Sequence, residues 1–208
     1  MHDDKKPYIL GIGGSRRSGS NTSRALSQAL RAAANLGAET RLFDAEMLNF
    51  PLYSPELGDR SSEAKQYVDE LRRADGFIIA SPSYHGSVSG LVKNALDYVQ
   101  DLANDEAVYL SGRAVGLITT GAGLAGAVNA LTTMRNIVHA LRGWPTPLGV
   151  PVAIYPSPFG EDGSLADDKL TISLATMAAE VVDFAKRNAV YARHRLRNEG
   201  APAEAVPT

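Results

Sequence analysis

The residues best equipped for chemistry form one stretch near the amino end, Gly11-Ile12-Gly13-Gly14-Ser15-Arg16-Arg17-Ser18-Gly19-Ser20-Asn21-Thr22. Its glycines allow tight backbone turns, and the short side chains of Ser15, Ser18, Ser20, Asn21 and Thr22 stand beside two guanidinium groups. The stretch follows the apolar run Tyr8-Ile9-Leu10 and leads into an amphipathic pattern, so it reads as a strand, a loop and a helix start. A helix start leaves N–H groups unpaired at the positive end of the macrodipole, where an anion is stabilised. Phosphate is the occupant this chemistry suits. A Walker loop would need Gly-Lys-Ser/Thr, which is absent, and the dinucleotide pattern G-x-G-x-x-G begun at Gly11 would need glycine where Arg16 stands. Hydroxyls with an arginine fit a mononucleotide monophosphate; an ordinary polar turn capping a helix is the competing reading of this loop taken alone.

Other chemistries have less to build on. The chain has no cysteine, which excludes thiol nucleophiles, CxxC redox centres, cysteine-ligated clusters and disulfides, so a redox role needs a cofactor. His2, His85, His139 and His194 are widely separated without a metal-ligand spacing, and no metal is expected. Gly86-Ser87-Val88-Ser89-Gly90 is not a nucleophile elbow, because Val88 occupies the nucleophile position. A net charge of −2 gives no electrostatic footprint for nucleic acid or an anionic membrane. With no apolar leader or spanning stretch, the expectation is a cytoplasmic protein.

The elements that must position the loop can be read in turn. At 208 residues with 44% hydrophobic content, the chain suits one domain, residues 1–208, with disordered ends at 1–6 and 199–208. Helix one carries Leu26, Leu30, Ala33 and Leu36 and stops at Gly37; strand two covers residues 39–43. Residues 45–60, with Pro51 and Pro55, form a connection long enough to act as a movable lid. Helix two spans 62–73, and Gly76-Phe77-Ile78-Ile79-Ala80 is a strand buried on both faces. A second polar loop, residues 81–90, precedes a helix bearing Leu91, Ala95, Val99 and Leu102. Strand four, residues 113–120, leads to a third loop at 121–126 and a helix with Leu131, Met134, Ile137, Val138 and Leu141. Strand five lies within 146–155, where Pro147 and Pro151 predict an interruption or an edge position. A final helix carries Leu170, Leu174, Met177, Val181 and Phe184. Strands alternating with helices imply a doubly wound α/β fold with a five-stranded parallel sheet of order 2-1-3-4-5, which brings loops one, three and four together at the carboxyl edge.

Two motifs give the chain a family resemblance. Gly14-Ser15-Arg16-Arg17-Ser18-Gly19-Ser20-Asn21-Thr22 resembles a G-S-x-R loop followed by a Ser/Gly/Asn/Thr cluster. Residues 81–97, Ser-Pro-Ser-Tyr-His-Gly-Ser-Val-Ser-Gly-Leu-Val-Lys-Asn-Ala-Leu-Asp, resemble the signature P-x-Y-x-G-S-x-S-G-x-L-K-N-x-x-D. Both are features of the NAD(P)H-dependent FMN reductases of the flavodoxin-like superfamily, and the resemblance covers roughly residues 7–190. It implies a flavodoxin-like fold in which Ser15, Arg17, Ser20, Asn21 and Thr22 hold the FMN phosphate. Pro82, Ser83, Tyr84, His85, Gly86 and Ser87 would wrap the isoalloxazine ring, with Thr120, Gly121, Ala122 and Gly123 contributing from the third loop. It further implies NADPH or NADH as hydride donor, and free flavin, a quinone or an azo compound as acceptor. No protein side chain need act as a catalytic group, since the flavin carries the hydride chemistry. A homodimer or homotetramer is implied, with the surroundings of Asn94, Asp97, Tyr98 and Met134 facing a second subunit, and a flavin-dependent monooxygenase as a further partner. Trp144 reads as a packing anchor and Lys93/Asp97 as a helix ion pair. The alternative function is a flavodoxin-type electron carrier without efficient NAD(P)H oxidation; a mild net charge argues against the acidic docking surface such a carrier needs.

Overall fold

In the computed structural model, residues 6–17, 19–56 and 58–199 are described; of the ends expected to be disordered, 1–6 and 199–208, residues 1–5 and 200–208 lie outside them. Strand β1 (Tyr8–Gly13) is buried along its whole length. Tyr8, Leu10 and Ile12 join the core on one face of the sheet and Ile9 joins the core on the other, as a period of two requires of a strand covered on both sides. Helix α1 (Asn21–Asn35) starts at the Ser20 cap, whose Oγ accepts from the Ser23 N–H. Its stripe is Ala25, Leu26, Ala29, Leu30 and Ala33; Leu36, expected to belong to it, is the exposed C-cap instead. Strand β2 (Glu39–Phe43) and helix α2 (Ser62–Arg73) follow at their expected positions.

Strand β3 (Gly76–Tyr84) runs four residues beyond its expected end. Two neighbours account for this. Strand β5 (Ala114–Gly121) pairs with it as far as Pro82↔Thr120, and the short β4 (Ser87–Val88) folds back on it antiparallel through Tyr84↔Ser87. His85 and Gly86 form the two-residue turn with φ of 51° and 82°, the positive pair that matches the twist of a hairpin. Pro82 is tolerated because of strand parity. The Ala80 carbonyl accepts from Gly14 N on the β1 side, so the Pro82 nitrogen two residues later faces space that β1 has left.

Helix α3 (Gly90–Asp97) tightens into a 3₁₀ turn (Tyr98–Leu102), and α4 (Leu124–Ala140) follows β5. The expected fifth strand is split into β6 (Trp144–Pro145) and β7 (Val150–Ala153), both parallel to β5. Thr146 and Ile154 donate to β5, so Pro151 turns its missing donor to the open edge. The main sheet path is β2-β1-β3-β5-β6 with β7 also on β5, which is the expected doubly wound order once the β4 hairpin is set aside. Helices α2, α3 and α4 cover one face; α1 and α5 (Asp168–Glu199) cover the other. Trp144 packs against Phe184 at the surface, 59% exposed and outside both cores.

The connection after β2 is tied to the body of the protein at Pro51, Tyr53 and Arg60. The Asn94 Oδ1 accepts from Tyr53 N at 2.8 Å, its Nδ2 donates to Pro51 O at 3.1 Å, and the Tyr98 hydroxyl donates to the same carbonyl at 3.0 Å. Arg60 forms a two-pronged pair with Asp101 at 2.7 and 2.8 Å and lies over the Tyr53 ring. Asn94 and Tyr98 are thereby turned inward, and Met134 is fully buried under α4. None of the three is available to a second subunit; Asp97, paired with Lys93, remains near the surface.

Candidate active site

The carboxyl ends of β1, β3 and β5 converge on one cleft of about 500 Å³, within the range of small-molecule sites. At its polar end are Ser15, Arg17, Gly19, Ser20, Asn21 and Thr22. The chain leaves β1 at Gly13 with φ of 119°, and a Cβ there would collide with the Ala80 carbonyl oxygen, so only glycine lets the loop pass so close to β3. Past that point the hydroxyls organise one another. Ser15 Oγ accepts from Arg17 N at 3.2 Å, and the Ser20 and Ser23 hydroxyls are 2.8 Å apart. The backbone N–H groups of Asn21 and Thr22 open the helix and have no intrahelical acceptor. Arg17 is exposed, and Arg16 points away to donate to Asn49 at 3.2 Å.

The floor joins α1 to β5 through a buried contact between the Thr22 and Thr120 hydroxyls at 2.6 Å. One of them must donate to the other, which leaves the acceptor's own proton available to a ligand. The opposite end is formed by Pro82, Ser83 and Tyr84 from β3 and by Gly121 and Ala122 after Thr120. It is held rigidly: Ser83 Oγ donates to Gly126 O at 2.9 Å, and Ser81 Oγ accepts from Ser89 N at 2.9 Å. Tyr84 is 54% exposed and presents its ring at the mouth. Arg17 is the only charged side chain among the lining residues, so the field at the polar end favours an anion.

Of the residues singled out in the sequence, eleven line this cleft: Ser15, Arg17, Ser20, Asn21, Thr22, Pro82, Ser83, Tyr84, Thr120, Gly121 and Ala122. His85, Gly86 and Ser87 do not; the hairpin carries His85 and Gly86 outward to an exposed tip. Gly123 is instead the cap of α4. The sequence reading missed a fourth wall, Ile154, Tyr155 and Ser157, which follows β7. This wall is fastened by Ile154 N donating to Gly121 O at 2.9 Å and by Ser157 Oγ donating to Asn21 Oδ1 at 3.2 Å. Its only sequence signal was its place at the carboxyl end of the last strand, where the switch-point rule directs attention to the three inner loops.

The profile of the NADPH-dependent FMN reductases matches residues 7–155, which takes in every strand and three of the four walls. The chain belongs to that family. An FMN-dependent NADPH-azoreductase of Staphylococcus saprophyticus is 30% identical over 191 residues, 85% of this chain and 94% of the relative. One from Staphylococcus aureus strain USA300 is 30% identical over 155 residues, 70% of this chain and 78% of the relative. Among solved structures, FerB, a flavoenzyme NAD(P)H:(acceptor) oxidoreductase from Paracoccus denitrificans, superposes with a TM-score of 0.71 at 20% identity, covering 88% of this chain and 98% of that one, which is a likeness of fold. Membership in the FMN reductases makes this an NAD(P)H-dependent flavin oxidoreductase that uses FMN. The cleft fits that cofactor on its own chemistry. A hydroxyl-rich end with one arginine and free helix N–H groups suits a phosphate, and the glycine-bordered end beneath Tyr84 suits a planar ring.

Proposed function

We propose that Ser15, Arg17, Ser20, Asn21 and Thr22 hold the FMN phosphate and that Pro82, Ser83, Tyr84, Thr120, Gly121 and Ala122 border its ring. The observation carrying this reading is the polarity of a single cleft, with Arg17 and the open helix N–H groups among hydroxyls at the β1 end and Pro82, Tyr84, Gly121 and Ala122, without a charged group, at the β3 and β5 ends. When bound, FMN supplies the capacity to take a hydride from NADPH or NADH and pass the electrons on. The protein's part is positional. The helix N–H groups and Arg17 neutralise the phosphate, the Thr22–Thr120 contact fixes the floor, and Ser83 locks the β3 tip to α4. An azo compound is the acceptor class the relatives' names support, and free flavin or a quinone would be reduced at the same mouth. No side chain of the cleft is assigned proton transfer.

The chain is read as one domain, acting in the cytoplasm as a homodimer or homotetramer. Support for pairing comes from Leu124 and Val128, which stand 56% and 42% exposed on α4, the helix after the β5 wall. Among the described residues no helix is long and apolar enough to cross a membrane. The test is to load the purified protein with FMN, add NADPH or NADH without air, and follow flavin bleaching, then recolouring on addition of an azo dye. Bleaching followed by dye-dependent recolouring is expected; a flavin that stays oxidised under both donors would overturn the reading. Release of reduced FMN on gel filtration would show that flavin leaves as a product, as supply to a monooxygenase requires.

A further inference from the structure

A second groove, of about 640 Å³, runs along the open edge of β7 and meets the flavin cleft at Tyr155 and Ser157, which line both. Its floor is apolar, with Val150 and Val152 from the edge strand and Leu170 from the first turn of α5. Pro151 faces this edge without a donor, which disfavours an added β-strand as the occupant. Tyr155, 69% exposed, offers a ring on the dividing wall. Lys169 lines the groove, is exposed, and forms no ion pair among the described residues. The one carboxylate in the lining, Asp167, is engaged locally. Its Oδ1 accepts from the N–H groups of Lys169 and Leu170 at 2.9 and 3.1 Å, at the positive end of α5.

An apolar floor, an aromatic wall and an unpaired ammonium select a flat aromatic group that carries an anion. We propose that this groove is a second subsite, taking the distal aryl-anion half of a substrate whose reactive half reaches the flavin cleft. The proposal rests on the flavin reading for its link to turnover, but not for binding. Two sources have the required chemistry: the sulfonated or carboxylated aryl group of an azo acceptor, and the phosphorylated adenosine of the nicotinamide donor.

The probe is naphthalene-1-sulfonate, with uncharged 1-naphthol as control, titrated calorimetrically into FMN-loaded and FMN-free protein. Two exposed positions are changed: Lys169→Gln removes the cation, and Ala166→Trp fills the groove. For the sulfonate, Lys169→Gln is expected to weaken binding roughly three- to fivefold, the value of an exposed charge contact. The same change should leave naphthol unaltered, and Ala166→Trp should weaken both. In steady-state assays the matching rise in KM falls on a sulfonated azo dye if the acceptor fills the groove and on NADPH if the donor does, with the KM of an uncharged quinone unmoved. Sulfonate affinity unchanged in both variants, or equal changes for sulfonate and naphthol in Lys169→Gln, would sink the subsite. Intact sulfonate binding by a protein that never oxidises NADPH would count against the flavin reading and leave the groove standing.

Discussion

Two irregular segments leave neighbouring strands at the same edge of the sheet and differ in where their polar groups go. After β1, Ser15 and Ser20 bond to Arg17 N and to Ser23 in the first turn of α1, and Arg17 and the first helix N–H groups face an open cleft. After β2, residues 44–61 are stitched to the body of the protein by Asn94, Tyr98 and the Arg60–Asp101 pair, with Phe50 packed 4.7 Å from the Tyr98 ring. Both are rich in polar and turn-forming residues. The first segment leaves donors facing a cleft where a ligand can take them, whereas the second directs its contacts to the rest of the fold.

The largest expected effect that would break this contrast is in the stitched segment. Asn94→Ala removes two well-formed hydrogen bonds and leaves the half-buried Tyr53 N–H without its acceptor, so a loss of about 1–3 kcal/mol is expected in urea denaturation, with FMN affinity retained. A large fall in FMN affinity in the folded variant would mean that the two segments are coupled. In the open segment the pattern reverses. Arg17→Ala, at an exposed position, should leave the denaturation midpoint in place while FMN binds about ten- to a hundredfold more weakly. An unchanged FMN titration would remove Arg17 from the phosphate site.

A smaller effect sharpens the comparison at its one exception. Beneath the stitched segment, Tyr67 packs on Phe43 and Phe50, and its buried hydroxyl has no partner among the described residues. Tyr67→Phe should therefore be neutral or stabilise by up to about 1 kcal/mol. Burial also pushes the Tyr67 pKa above its ordinary 10.0, and burial with the Glu70 contact does the same for Tyr8. Above pH 10 the unfolded chain then loses protons that the fold retains, so stability is full below that pH and declines as pH rises through and beyond it. Urea midpoints measured across this range should fall, and fall less steeply in Tyr67→Phe; parallel slopes would show that Tyr67 contributes nothing to the alkaline decline. The least change is expected from His85→Asn, which keeps a residue suited to positive φ at the hairpin and removes an imidazole outside the cleft. Flavin reduction near the unmodified rate is the expected outcome, and its collapse would bring His85 into the site.

The sequence by itself determined the alternation of strands, loops and helices and pointed to residues of three cleft walls, Ser15 to Thr22, Pro82 to Tyr84 and Thr120 to Ala122, while carrying the second wall too far, to Ser87, and the third to Gly123. The signals there are local: apolar residues recur at two or at three to four, Ser20 and Ser61 sit where helices begin, and the Gly-Ser-Arg cluster leaves a strand. Even the broken last strand was visible, because proline acts on its own backbone. Tertiary structure decided what depends on partners far along the chain. Only there does Asn94 turn inward to Tyr53 rather than outward to a neighbour, the connection after β2 become tied down at Pro51 and Tyr53, and Ser81 to Tyr84 extend a strand because β4 and β5 lie beside them. Only there does the wall at Ile154, Tyr155 and Ser157 meet a helix that begins more than a hundred residues earlier, through one hydrogen bond to Asn21. Spacing within a segment reports which face of that segment is apolar. It carries no record of which distant donor will find which acceptor, and in this molecule that pairing separates a loop that faces the cleft from one tied to the fold.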